Sequence, residues 1–208
     1  REHVTGLVLA GGRGSRMGGV EKGLQPFHGV PLALHALQRL APQVWPLAVN
    51  ANRHLDTYAA FGHPVWPDAQ ADHPGPLAGM LAGLHHCGTP WLLTVPCDSP
   101  LFPPDLVQRL AAAALQAGAD VALPVTPGVD DDGRPGLQPQ PVFCLLRSTL
   151  ADALEAFLAS GRRRIDRFTA TQRQVLVPFD DDAAFANANT KAELARLQLP
   201  VGPTNDLT

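Results

Sequence analysis

The chain has 208 residues, 45% hydrophobic and 17% charged, with a net charge of -3 and a mean hydropathy of -0.01, which suits one globular domain and excludes disordered, collagenous and fibrous classes. Its apolar runs fall far short of the ~18 to 20 residues of a membrane helix, and it lacks the basic excess that coating a nucleic-acid backbone requires. With no leader-like apolar region and with Cys87, Cys97 and Cys144 scattered and free of any CxxC pair, the expectation is a cytoplasmic protein of a reducing compartment, bound neither to membrane nor to nucleic acid, that holds a small phosphorylated ligand in a local site.

Residues 4–10 are an apolar run ending in glycines, a buried strand that feeds a tight turn. Leu34, Leu37 and Leu40 at helical spacing predict a helix over 31–41, followed by a strand over 44–50. A helix over 53–61, a short strand over 64–66 and a small-residue helix over 75–87 come next. The most hydrophobic strand, 91–96, reads as central to a sheet covered on both faces. A patterned helix over 104–117 and a strand over 119–125 precede TPGVDDDGRPGLQPQ, residues 126–140, whose Pro, Gly and Asp content predicts a surface loop or lid. A strand over 141–146, a helix over 148–160, a basic turn over 161–164 and a strand over 173–179 follow. Thr190 and Glu193 form a capping-box pattern that opens a last helix. Strands alternating with helices predict an α/β fold, one three-layer domain around a mostly parallel, Rossmann-like sheet, spanning residues 1–200 with a frayed tail at 201–208. Ligands of such sheets sit at the carboxyl ends of the strands.

Leu9-Ala10-Gly11-Gly12-Arg13-Gly14-Ser15-Arg16-Met17-Gly18-Gly19-Val20-Glu21-Lys22 follows the first strand directly. Glycines there let backbone N–H groups approach phosphate oxygens, while Arg13, Arg16 and Lys22 supply positive charge. Arg outnumbers Lys by fourteen to two, which makes the early Lys22 conspicuous. An ordinary glycine-rich turn is the plain alternative. The dinucleotide fingerprint is excluded because Met17 stands at its third glycine position, and the P-loop because Gly23 follows Lys22 where Ser or Thr is required.

Asp98 ends the central strand between Pro96 and Pro100, where its carboxylate either holds Mg²⁺ or caps a turn. Asn50 and Asp68 close two other strands. Guanine presents N1–H and N2–H₂ donors beside an O6 acceptor, which a carboxylate and an amide read together; each residue alone reads equally as a turn former. Gly75-Pro76-Leu77-Ala78-Gly79 opens a helix, for anion binding or for close packing. Four of the five Asn residues sit in Asn50-Ala51-Asn52 and Asn187-Ala188-Asn189. Arg162 to Arg164 and Asp130 to Asp132 read as solvated charge, and the eight His residues form no metal-binding pair.

LAGGRGSRMGGVEKGL is similar to the LAGGxSxRMGxxK signature of nucleotidyltransferases with the nucleotide-diphospho-sugar transferase fold. With Asn50-Ala51-Asn52-Arg53, Pro67-Asp68, Gly75 to Gly79, Pro96 to Pro100 and Asn187 to Thr190, the chain resembles the MobA-type molybdenum cofactor guanylyltransferases from residue 4 to about 197. The resemblance implies GMP transfer from GTP to the molybdenum-molybdopterin cofactor with release of pyrophosphate. It implies Lys22, Arg16 and Asp98 as catalytic residues, with Leu9, Ala10, Gly11, Gly12, Lys22, Asn50, Asp68 and Asp98 at the nucleotide. Asn187 and Asn189 fall on the cofactor side, and Asp98 at Mg²⁺. Transient contact with proteins that deliver and insert the cofactor is also implied. Cytidylyl transfer to the same acceptor, uridylyl transfer to a sugar phosphate, and a carrier without turnover are the rivals. The acidic, proline-rich segment 126–140 departs from the family pattern on the acceptor side.

Overall fold

The first strand, β1 (Val4–Leu9), is buried along its whole length and sets the level of the site. The computed structural model describes residues 2–11, 21–69, 75–129 and 133–188. β1 lies parallel to β4 (Leu47–Asn50) on one side and β6 (Trp91–Pro96) on the other, with Leu9 opposite both Asn50 and Pro96. This register brings three strand ends to one line, so the residues that follow Leu9, Asn50 and Pro96 emerge together. β5 (Val65–Trp66) extends the sheet beside β4, with Asn50 opposite Trp66. Beyond β6, the antiparallel β9 (Cys144–Arg147) leads to β7 (Val121–Val129) and then β10 (Gln174–Pro178). The order is β10-β7-β9-β6-β1-β4-β5, with β8 (Pro135–Pro139) pairing β7 outside that path. Only β8 and β9 run against the common direction, which is the mostly parallel sheet expected.

Side chains alternate between two apolar layers, as a strand period of two demands. Val4, Val8, Leu93 and Val95 pack under α1 (Leu32–Leu40), α4 (Leu106–Ala117) and Tyr58 of α2 (Leu55–Ala59). Leu7, Leu9, Leu92 and Leu146 pack under α3 (Pro76–His86), α5 (Ala151–Ala159) and α6 (Ile165–Thr169). Leu7, Leu92 and Leu93 are fully buried. Each such side chain contributes about 1.5 to 3 kcal/mol relative to exposure, so the two layers anchor the central strands firmly. No helix among the described residues is long and apolar enough to cross a membrane.

Two expectations need correction. Residues 126–129 and 135–139 are strand rather than loop: Thr126 pairs with Gln138 and Val129 with Pro135, so β7 and β8 lie antiparallel side by side. Of the three prolines that argued against a strand, two stand at the first and last residues of β8, an edge strand, where a missing N–H costs little, and Pro127 lies within β7 opposite Leu137. The strand expected over 141–146 begins only at Cys144, because a turn closes it first, Phe143 N donating to Gln140 O at 3.0 Å. The small hairpin of β2 (Pro26–Phe27) and β3 (Val30–Pro31) and helix α6 had no clear periodic signal in so few residues. The capped helix from Thr190 and the tail at 201–208 lie outside the described residues.

Candidate active site

The carboxyl ends of β1, β4, β5 and β6 open into a cleft of about 320 Å³ lined by Leu9, Gly11, Asn50, Asp68, Asp98 and Asn187, with Gly75, Pro76 and Pro96 and the wall from Gln140 to Phe143. The sequence-predicted residues Leu9, Gly11, Asn50, Asp68, Asp98 and Asn187 therefore meet in one place. Gly12, Arg16 and Asn189 lie outside the described residues.

At the β4 side, Asn50 and Asn52 hold one carboxylate between them. Asn50 Nδ2 donates to Asp68 Oδ1 at 2.8 Å and to Trp66 O at 2.9 Å. Asn52 Nδ2 donates to Asp68 Oδ2 at 2.9 Å, and Asp68 N donates back to Asn52 Oδ1 at 2.8 Å. Each Asp68 oxygen thus accepts one amide proton and keeps capacity for a further donor. Asn50 is only 2% exposed and is wedged between two glycines. A Cβ on Gly11 would stand 2.9 Å from Asn50 Oδ1, and one on Gly79 would collide with the same oxygen. This explains two glycines of the motifs: they admit the Asn50 amide to the sheet edge. Ala10 N donates to Asn50 O at 2.8 Å, so its N–H belongs to the strand pairing, and Ala10 itself is buried in the core layer and does not line the cleft. Asn52 was visible in the NAN triplet, two residues beyond a strand end, but its pairing with Asp68 depends on a contact sixteen residues away.

At the β6 side, Lys22 Nζ stands 3.2 Å from Asp98 Oδ2, with side-chain exposures of 25% and 13%. The preceding Cys97 is buried, and desolvation followed by the Asp98 charge pushes its thiol far above the usual range. It stays protonated and is unfit as a nucleophile. The turn after Asp98 is tied to the chain's later segment: Ser99 Oγ donates to Asn187 Oδ1 at 2.5 Å, and Ala188 N donates to Asp98 O at 2.7 Å. Phe185 supports that segment by edge-on packing on Phe143, ring centroids 5.0 Å apart, and on Phe179 at 5.3 Å. Ser99 and this aromatic cluster escaped the sequence reading, since nothing local marks a serine as the partner of an asparagine 88 residues on.

Arg162, Arg163 and Arg164 are engaged locally, with Ser160, the Leu158 carbonyl and Asp166 respectively, and none of the three lines the cleft. Asp98 is the one carboxylate on the Lys22 side among the described lining residues. A donor set of one hard oxygen ligand beside room for a polyphosphate fits a divalent cation that takes its other ligands from phosphates and water.

Residues 6–175 match the profile of the MobA-like NTP transferase domain. The chain is 60% identical over 200 residues to the molybdenum cofactor guanylyltransferase of Acidovorax sp. (strain JS42), covering 94% of this chain and 95% of that one. It is 59% identical over 194 residues to the protein of that description from Ralstonia nicotianae, covering 93% and 95%. Among solved structures, the molybdopterin-guanine dinucleotide biosynthesis protein A from Archaeoglobus fulgidus superposes with a TM-score of 0.74 at 24% identity, covering 93% and 96% of the two chains, and so shares the fold. A cleft at the carboxyl edge of a parallel sheet, the glycine-flanked Asn50 and the extent of these matches agree: the chain belongs to the MobA-like NTP transferase family and is a nucleotidyltransferase.

Proposed function

We propose that the protein transfers GMP from GTP to the molybdenum-molybdopterin cofactor. The observation that carries the reading is the Asp68 carboxylate held by Asn50 and Asn52 in the cleft that Asp98 also lines, with Lys22 paired to Asp98. A fixed carboxylate with one free acceptor site per oxygen suits the adjacent N1–H and N2–H₂ donors of guanine, whereas cytosine presents a single amino donor beside acceptors. The 60% identical relative, a molybdenum cofactor guanylyltransferase, supports the same choice.

In this reading a terminal phosphate oxygen of molybdopterin attacks the α-phosphorus of GTP in line. The bond from that phosphorus to the β-phosphate bridge oxygen breaks, pyrophosphate leaves, and the guanine dinucleotide forms. The protein contributes position and charge rather than a covalent intermediate. Lys22, with Arg16 and the N–H groups that follow Gly11, holds the triphosphate. Asp98 would hold Mg²⁺, which would neutralise phosphate charge when bound. Asn187, fixed by Ser99, borders the acceptor side together with the Gln140 to Phe143 wall, and the family resemblance assigns Asn189 to the same role. Proteins that deliver and insert the cofactor would meet the molecule on that side.

The test is a nucleotide screen with purified protein, Mg²⁺ and molybdenum-molybdopterin, scored by dinucleotide product and pyrophosphate. GTP is expected to exceed CTP and ATP by about tenfold to a hundredfold in kcat/KM, the cost of leaving one or two buried polar groups unpaired. Equal use of CTP would overturn the guanine assignment, and tight GTP binding without pyrophosphate release would make the protein a carrier.

A further inference from the structure

Glu21 precedes Lys22 directly and is only 7% exposed, an unusual place for a carboxylate unless something holds it. Two groups do. Tyr58, the chain's single tyrosine and fully buried on α2, donates its hydroxyl to Glu21 Oε1 at 3.0 Å. Arg53 Nη2 stands 3.0 Å from Oε2 as a charge contact, and among the described residues no donor meets that oxygen at a hydrogen-bonding angle. Burial first, then the neighbouring acidic groups Cys97 and Glu21, push the Tyr58 phenol far above its usual range, so it keeps its proton and remains the donor. The hydroxyl also lies against the residue after Lys22: a Cβ on Gly23 would stand 2.5 Å from Tyr58 Oη. Lys22 is therefore flanked on both sides by residues seated on Tyr58.

The other end of this cluster belongs to the base side of the cleft. Arg53 follows Asn52, whose amide holds Asp68. His54 then adopts a left-handed conformation, φ 52°, and starts the helix that carries Tyr58. The segment from Asn50 to Tyr58 thus touches the Asp68 carboxylate at one end and the backbone around Lys22 at the other.

We propose that Glu21, Tyr58 and Arg53 form a positioning cluster that sets Lys22 opposite Asp98 and joins the Asn52–Asp68 unit to the phosphate side. This rests on the reading of Lys22 as a triphosphate-binding residue. A lysine on a four-carbon stem reaches many positions, and a displacement of about 1 Å is enough to lose much of the advantage of orientation.

The experiment is steady-state kinetics on Tyr58→Phe, which keeps the ring and loses the donor, and on Glu21→Gln and Glu21→Ala. Lys22→Arg, Lys22→Ala and the double variant Tyr58→Phe with Lys22→Arg complete the set. Tyr58→Phe is expected to lower kcat about tenfold with KM for GTP changed less than about threefold, the split expected for a transition-state effect. Glu21→Gln, still able to accept from Tyr58, retains more turnover than Glu21→Ala. The double variant is expected to be no slower than Lys22→Arg alone, because both changes disturb one interaction. Unchanged kcat in Tyr58→Phe, equal loss in Glu21→Gln and Glu21→Ala, or fully additive losses in the double variant would each overturn the positioning role. Wild-type turnover by Lys22→Ala is a separate outcome: it removes the underlying reading of Lys22 rather than the cluster.

Discussion

Asp98 and Lys22 meet across 76 positions of sequence, and each was legible for its own local reason: one as a carboxylate at a strand end, the other as a lysine closing a glycine-rich segment. Replacing Asp98 by Asn keeps the shape and removes the charge. Product formation by Asp98→Asn is expected to fall about a hundredfold or more, the scale on which loss of one charge-stabilising group acts, with GTP affinity held within about threefold. Parallel measurement of turnover and GTP binding checks this, and near-normal turnover at ordinary Mg²⁺ removes Asp98 from the chemistry. Asp68→Ala leaves Asn52 Nδ2 without its carboxylate and takes one acceptor from Asn50. It is expected to lower the GTP-over-CTP ratio of kcat/KM about tenfold while sparing kcat at saturating GTP, which competition kinetics would show. The residues missed by sequence reasoning, Asn52, Ser99 and Tyr58, share a property: their partners lie far along the chain, so no local pattern announces them.

At the scale of elements, hydrophobic period and glycine placement revealed β1, β4, β6, α1, α3 and α4 because long, well-patterned segments carry a repeated signal. The β7–β8 pair was hidden because edge strands tolerate the residues that forbid central ones. Helix α3 shows what a glycine inside a helix contributes when packing demands it. Gly79 faces Asn50 and Leu9, and Gly83 faces Leu7 and Leu92, so the helix axis lies close on the sheet. Gly79→Ala forces a methyl group into the Asn50 amide. The expected cost is about 1 to 3 kcal/mol of stability, the usual range for overpacking, together with a loss of nucleotide discrimination as Asn50 is displaced from Asp68. Denaturant unfolding and competition kinetics test the two parts separately. A variant as stable and as selective as wild type would show that α3 shifts freely.

Across the whole molecule, the far edge of the sheet is tied by Asp120, which accepts from Arg173 Nε at 2.8 Å and from Arg147 Nε at 3.1 Å. The hydrogen bond from Arg173, ahead of the other charge contacts, holds the Asp120 carboxyl below its ordinary value. A depressed folded value means that its contribution is complete above about pH 4, where the unfolded carboxylate is also ionised, and fades as pH falls through the folded value. Urea midpoints of wild type and Asp120→Asn are therefore expected to differ at pH 7 and to draw together as pH falls below about 4. A gap that does not narrow as pH falls below about 4, or is absent at pH 7, would contradict it. The protein as a whole carries -3, yet at the β6 side of the cleft Asp98 is met by a cation, Lys22. In the proposed reading, a nucleotide arriving with a divalent cation would bring both signs at once: anionic oxygens for Lys22 and a cation for Asp98. Binding would then be an exchange of partners in which neither side chain is left alone, and a bare triphosphate, which would satisfy only the lysine, would leave Asp98 repelling the guest that displaced it.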